Sequence, residues 1–151
     1  MLSKQLKKAV ITILMKSNLT ITDEIVDMIV ETACVESECG KYIQQINGPA
    51  CGIFQIEPNT AKDIINNYTN YRPLYKNLLN NYYIKSLTLE QNLCYNLAYQ
   101  IIMCRMFYLR IKEAIPSTVE ERAKYWKKYY NTLLGKGTVE LYINKVRSLY
   151  V

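Results

Sequence analysis

The chain contains no histidine. That removes the side chain that titrates nearest neutrality and the commonest metal ligand, so acid–base chemistry falls to Glu, Asp, Tyr, Lys or Cys. None of the 5 cysteines stands in CxxC spacing, and without histidine no mixed zinc set exists; no metal or other cofactor is expected. Glycine (5) and proline (4) are scarce in 151 residues, and alternating apolar–polar runs are few, which favours a mainly α fold. No apolar stretch approaches the roughly 18 residues of a membrane span. Lys4, Lys7 and Lys8 precede the apolar run AVITILM, as in an export signal. That run is interrupted at Lys16, however, and no small-residue cleavage site follows. The expectation is a protein made in a cytoplasm without a signal peptide.

An odd cysteine count (Cys34, Cys39, Cys51, Cys94, Cys104) is read as reduced thiols. Cys94 and Cys104 are expected on one helix, roughly 15 Å apart and beyond disulfide reach. No base partners any thiol, which argues against a cysteine nucleophile.

What is present is a hydrophobic half, 14 tyrosines and a net charge of +6. The length suits one domain over 1–151 with a sizeable core. The positive charge suits an anionic partner: nucleic acid, a membrane surface or a bacterial cell wall. Its basic residues are scattered, and no helix-turn-helix or zinc signature appears, which weighs against nucleic acid.

Periodicity predicts a first helix over 2–17, with Leu2, Leu6, Val10, Ile13 and Leu14 on one stripe. A second runs from a cap at Thr20 or Thr22 to about Glu38, with Gly40 as its exit. Residues 41–57 read as a loop, with a short hairpin an option, and Pro58 opens a helix to 67. Residues 68–87 read as irregular. Thr88 and Gln91 have capping-box spacing and open the expected central, longest helix, to about Glu113. Pro116 separates it from a helix capped by Ser117 and Glu120 that carries Ala123, Trp126 and Tyr130. A last helix spans 138–150.

The informative stretch is 34–61, CVESECGKYIQQINGPACGIFQIEPNTA. At about 100° per residue, Glu36 projects along the stripe of Ile25 and Ile29. It also stands in the last turn, where the helix dipole is negative. Burial and dipole both disfavour its charge and raise its pKa, as a general acid near neutrality requires. The alternative is a structural carboxylate paired to Arg72 or Arg105. Gly52 would permit close approach of a ligand to the backbone.

These pieces resemble the lysozyme-like superfamily, most closely lytic transglycosylase-type domains and short bacteriophage cell-wall lysins. Its first motif, a Glu-Ser pair at a helix end, matches Glu36-Ser37. Its second, G-L-M-Q then Pro and Thr-Ala, matches Gly52-Ile53-Phe54-Gln55 with Pro58, Thr60 and Ala61. Its third, a Tyr-Asn pair after a late helix, matches Tyr130-Asn131; Thr132 and Leu133 depart from the small residue and glycine that usually follow. The resemblance implies a lysozyme-like helical domain with a loop or β-hairpin wall beside a cleft. Glu36 would be the acid/base, supported by Tyr130. Ser37, Gly52, Ile53, Phe54, Gln55 and Asn131 would bind glycan. Glu57 stands where an apolar residue is common, so it is a candidate second carboxylate; its structural role would be to favour the start of the Pro58 helix. The implied activity is cleavage of peptidoglycan by a monomer that reaches the wall after release or from a virion. A muramidase using Glu57 is the enzymatic alternative. A non-catalytic binder of cell wall or nucleic acid, or a virion structural protein, is the alternative of another class.

Overall fold

Thr22 starts the helix on which the molecule is built. Its hydroxyl accepts from the Ile25 amide, and Asp23 and Glu24 occupy the first turn, where carboxylates suit the helix dipole. This helix, α2 (Asp23–Ser37), buries Val26, Met28, Ile29, Val30, Ala33 and Cys34, so nearly its whole circumference lies inside. The computed structural model describes residues 1–151.

Around α2 stand α1 (Ser3–Lys16), α3 (Pro58–Asn67), α4 (Pro73–Tyr82), α5 (Leu89–Tyr95), α6 (Leu97–Leu109), α7 (Val119–Trp126) and α8 (Val139–Leu149). A 3₁₀ turn spans Thr69–Tyr71, and α7 widens into a π-type turn over Lys127–Asn131. The protein is thus mainly helical. Its only strand-like pairings are two isolated antiparallel bridges, Gln44 with Cys51 and Cys51 with Ile56. α1, α6 and α8 pack on α2, while α7 packs on α8 and α4 on α6. α1 contributes Leu6, Val10 and Leu14, four residues apart on one face, and Leu2 at its N-cap stays exposed. No helix is long and apolar enough to cross a membrane.

Four boundaries differ from the sequence reading, each for a local reason. The expected helix 88–113 is two helices that meet at Asn96. Asn96 caps α6, its Oδ1 accepting from the Tyr99 amide at 3.2 Å, while its Nδ2 donates to the Tyr82 carbonyl. Its backbone (φ −98°, ψ 95°) leaves the helix to make those bonds. Cys94 and Cys104 therefore stand on different helices, and the longest helix is α2 with 15 residues. The segment 68–87 is not irregular: Pro73 opens α4, whose Leu79 is buried while Tyr75, Leu78 and Tyr82 pack against the core. α7 is capped by Thr118, whose hydroxyl accepts from the Glu121 amide, and not by Ser117. α2 leaves its axis before Gly40, through Glu38 at φ 52° and Cys39 at φ 58°.

One buried polar cluster joins α2, α7 and α8. Arg122 donates to both oxygens of Glu31, at 2.9 and 2.8 Å, and Tyr142 donates to Oε1 at 2.7 Å. Glu31, Arg122 and Tyr142 are 2%, 5% and 0% exposed. Removing one partner leaves the other charge buried and unpaired. Glu31→Gln is expected to cost about 3–5 kcal/mol and to lower the thermal midpoint by about 10 °C. The double change Glu31→Met, Arg122→Met should cost much less. Calorimetric melts of the two variants check this, and equal losses would contradict it.

Candidate active site

The last turn of α2 delivers Glu36 to the floor of a cleft of about 770 Å³. Its neighbours in sequence explain its position. Val35 and Ser37 are buried, which fixes the rotation of the turn and leaves Glu36 half-buried at the cleft surface. Trp126, at the end of α7, donates its indole N–H to Glu36 Oε2 at 2.9 Å. Tyr42 donates to the Glu36 carbonyl oxygen at 2.9 Å. Burial pushes the Glu36 carboxyl up to about 7, against the smaller opposing effects of the Trp126 hydrogen bond and the Lys145 charge. Neither candidate arginine pairs with it: Arg72 stacks on Tyr68 and donates to the Tyr68 carbonyl, and Arg105 forms no salt bridge, its buried Nε unpaired.

The residues expected at the site fall into two groups. Glu36, Gln55, Glu57, Tyr130 and Asn131 all line the cleft. Gln55 holds a left-handed backbone (φ 50°), and its Nε2 donates to the Gly52 carbonyl at 2.8 Å. Glu57 is exposed at the start of α3 and makes no side-chain cap there. Asn131 accepts from Lys127 Nζ at 2.6 Å. Tyr130 is close enough to Glu36 for the carboxylate to raise its pKa further, beyond the rise from burial. Its hydroxyl, however, donates to the Phe54 carbonyl and not to Glu36.

Ser37, Gly52, Ile53 and Phe54 form the second group, buried behind the wall. Three consecutive carbonyls are already used: Gly52 by Gln55, Ile53 by Ser37 at 2.6 Å, and Phe54 by Tyr130. The Ile53 amide donates to Gln100 Oε1 at 2.8 Å. Backbone groups with internal partners are not free for a ligand. Gly52 (φ 78°) faces the protein and not the cleft: a Cβ there would lie 1.9 Å from the Leu93 carbonyl oxygen. A side chain at Gly52 therefore breaks the packing of the loop on α5. The hairpin option for this wall reduces to the two single bridges. Pro49 has no amide to donate, so the turn closes between Gln45 and Ala50: the Gln45 amide donates to the Ala50 carbonyl at 2.9 Å, and Gln45 Oε1 accepts from the Ala50 amide at 3.1 Å.

Trp126 and Lys145 are site residues that sequence reasoning did not assign. Trp126 is the chain's one tryptophan and lies one helical turn before Tyr130, which was the available signal. Lys145 belongs to the basic C-terminal region and reaches Glu36 only through the packing of α8 on α2. Gly137 lies so close to the indole that a Cβ would meet Trp126 Cη2 at 2.4 Å, so the loop after Asn131 covers this ring. No group of three Cys, Asp or Glu side chains is placed to hold a metal ion.

The raised Glu36 pKa makes stability depend on pH with a definite sign. Its protonated form is favoured in the fold, so this contribution is complete below pH 4.5 and is lost as pH rises through about 7. Relative to Glu36→Gln, the wild type should lose on the order of 3 kcal/mol between these limits. Urea unfolding of both proteins from pH 4.5 to 8 measures it; parallel pH profiles would contradict the burial of the carboxyl.

Neither a protein-family model, nor a curated protein, nor a solved structure matches this chain, so the functional reading rests on the chemistry of the cleft itself.

Proposed function

We propose that this protein is a peptidoglycan-cleaving enzyme with a lysozyme-like fold, acting on the MurNAc–GlcNAc β-1,4 bond. The observation that carries this reading is one half-buried carboxyl lining a cleft of about 770 Å³. Its pKa is held near 7 by burial, and a neutral indole is its hydrogen-bond partner. A carboxyl protonated near neutrality is the group that glycosidic bond cleavage needs to expel a sugar alkoxide.

In the proposed reaction Glu36 gives its proton to the leaving GlcNAc O4 as the bond to MurNAc C1 breaks. The carboxylate then accepts the proton of the MurNAc 6-hydroxyl as O6 bonds to C1, which closes a 1,6-anhydro ring and restores the acid. The indole N–H of Trp126 stabilises the transient carboxylate without supplying a charge. The amide side chains of Gln55 and Asn131 and the half-apolar lining of Phe107 suit a polymer of N-acetylated sugars. The basic side of the cleft, Lys136 and Lys145, suits the carboxylates that peptidoglycan carries. The wall polymer is the partner, reached after release from the host cytoplasm or from a virion.

Replacing the proton donor with a shape-neutral amide tests the central role. Glu36→Gln should lower murein clearing about 10²–10⁴-fold while the protein stays folded. Wild-type activity should fall about tenfold per pH unit above 7, as the acid form is depleted. A folded Glu36→Gln variant that clears at the wild-type rate would end this reading.

Glu57 favours a second route, because it lines the same cleft and is exposed to solvent. A hydrolase would use two carboxyl groups, about 5–5.5 Å apart for retention or 6.5–9.5 Å for inversion. The single buried acid favours the non-hydrolytic route. Mass spectrometry of the soluble products should then show 1,6-anhydroMurNAc ends, and Glu57→Gln should retain much of the activity. Oxygen from labelled water at a reducing-end MurNAc, with loss of activity in Glu57→Gln, would establish the hydrolase instead.

A further inference from the structure

The turn that follows Glu36 brings two thiols together. Three successive residues, Glu38, Cys39 and Gly40, take left-handed backbone (φ 52°, 58° and 83°). This conformation costs a non-glycine residue roughly 1–2 kcal/mol, so something must hold it. The Cys39 amide donates back to the Ala33 carbonyl at 3.0 Å, and the Gly40 amide to Ser37 Oγ at 2.8 Å. The chain therefore doubles over the end of α2 and sets Cys39 Sγ 2.9 Å from Cys34 Sγ.

The other thiols are placed differently. Cys51 adjoins Cys94, but it directs its hydrogen to the Pro49 carbonyl, and Cys94 directs its own to Gln44 Oε1. Cys104 is buried on α6 among apolar side chains. Cys34 and Cys39 have only each other, at a separation about 0.9 Å from that of a bond near 2.04 Å. Both are buried, at 0% and 3% exposure.

We infer that Cys34 and Cys39 are a covalent modification site, closing a disulfide across the turn behind Glu36 when the chain folds in an oxidising compartment. The co-reactant is a disulfide, whether small or carried by a protein. One thiolate of the pair attacks it, forming a mixed disulfide and releasing one thiol. The second thiolate attacks that mixed disulfide at the sulfur of the pair, closing Cys34–Cys39 and releasing the second thiol. Two electrons pass from the pair to the oxidant, and the two protons of the pair end on the released thiols. The reaction belongs to the folding chain, before the turn shields both sulfurs. The bond would fasten the left-handed turn and, through it, the last turn of α2. The inference stands on the thiol geometry alone and does not depend on the murein reading.

Trypsin isolates the pair, because the peptide from Ser17 to Lys41 holds both cysteines and no other. The full chain, refolded with oxidised glutathione and alkylated under denaturing conditions, should give this peptide two hydrogens lighter and unalkylated. After reduction the same peptide should carry two alkyl groups. The oxidised wild type should melt above the reduced protein by about 5 °C more than oxidised Cys39→Ser melts above its reduced form. Cys104→Ser should keep the full difference. Three results would overturn the assignment: a doubly alkylated peptide from folded, oxidised protein; a link from Cys34 or Cys39 to any other cysteine; or equal redox shifts in wild type and Cys39→Ser.

Discussion

Register between α2 and α7 is set by the two-pronged bond from Arg122 to Glu31, and the cleft depends on it. The guanidinium fork meets the carboxylate with both prongs, and Tyr142 takes a further lone pair. These bonds tie three helices together at one carboxylate. Such a buried pair adds little net stability compared with a well-packed apolar cluster, because two charges must be stripped of water. Its contribution here is placement. One turn beyond Arg122 stands Trp126, and just over one turn beyond Glu31 stands Glu36. The first rung between the helices is an ion pair and the second is the indole–carboxyl hydrogen bond. Tyr142 touches both, its ring tilted against Trp126 at 5.4 Å between centroids.

The two rungs use the same residue type for opposite ends. Glu31 meets a cation and one further donor, the Tyr142 hydroxyl. Glu36 meets a neutral N–H and an apolar surround, so burial dominates and the proton is retained toward pH 7. An arginine in place of Trp126 would favour the carboxylate and forfeit the acid. Lys145 pulls in that direction, but its effect is smaller than that of burial. The pairing of each glutamate therefore separates an ion-paired carboxylate from one that keeps its proton toward neutrality, five residues apart on one helix.

Much of this was legible in the sequence, and what was not has a physical cause. The stripe of Ile25, Ile29 and Glu36 gave the direction of the acid, because helical periodicity acts within one element. Thr22, Pro58 and the Thr88–Gln91 pair marked helix starts correctly, since caps are local chemistry. The break at Asn96 was hidden: asparagine is tolerated in a helix, and only the distant Tyr82 carbonyl makes leaving it favourable. α4 was hidden by its Asn- and Tyr-rich composition, with burial on α6 supplying what propensity does not. Arg122 and Trp126 were legible as helix residues but not as partners of Glu31 and Glu36, because some 90 residues separate each pair. Gly52 was read as a surface for ligand, whereas it faces inward, against the Leu93 carbonyl. A glycine signals close approach without saying of what.

The acid and its cover are coupled. The indole that holds Glu36 is itself covered by Gly137, in a loop whose leucines 133 and 134 are almost fully exposed. That loop is held by few bonds: Lys127 Nζ donates to Asn131 Oδ1 and to the Gly135 carbonyl at 3.0 Å, and the Gly135 amide donates to Thr132. Burial is the largest cause of the raised Glu36 pKa, and part of that burial comes through Trp126 and the chain above it. Water admitted beneath this loop would hydrate the carboxylate and draw the pKa back toward 4.5. A ligand filling the cleft would exclude that water. In the proposed reaction, the Glu36 proton would then be held most firmly when the cleft is filled.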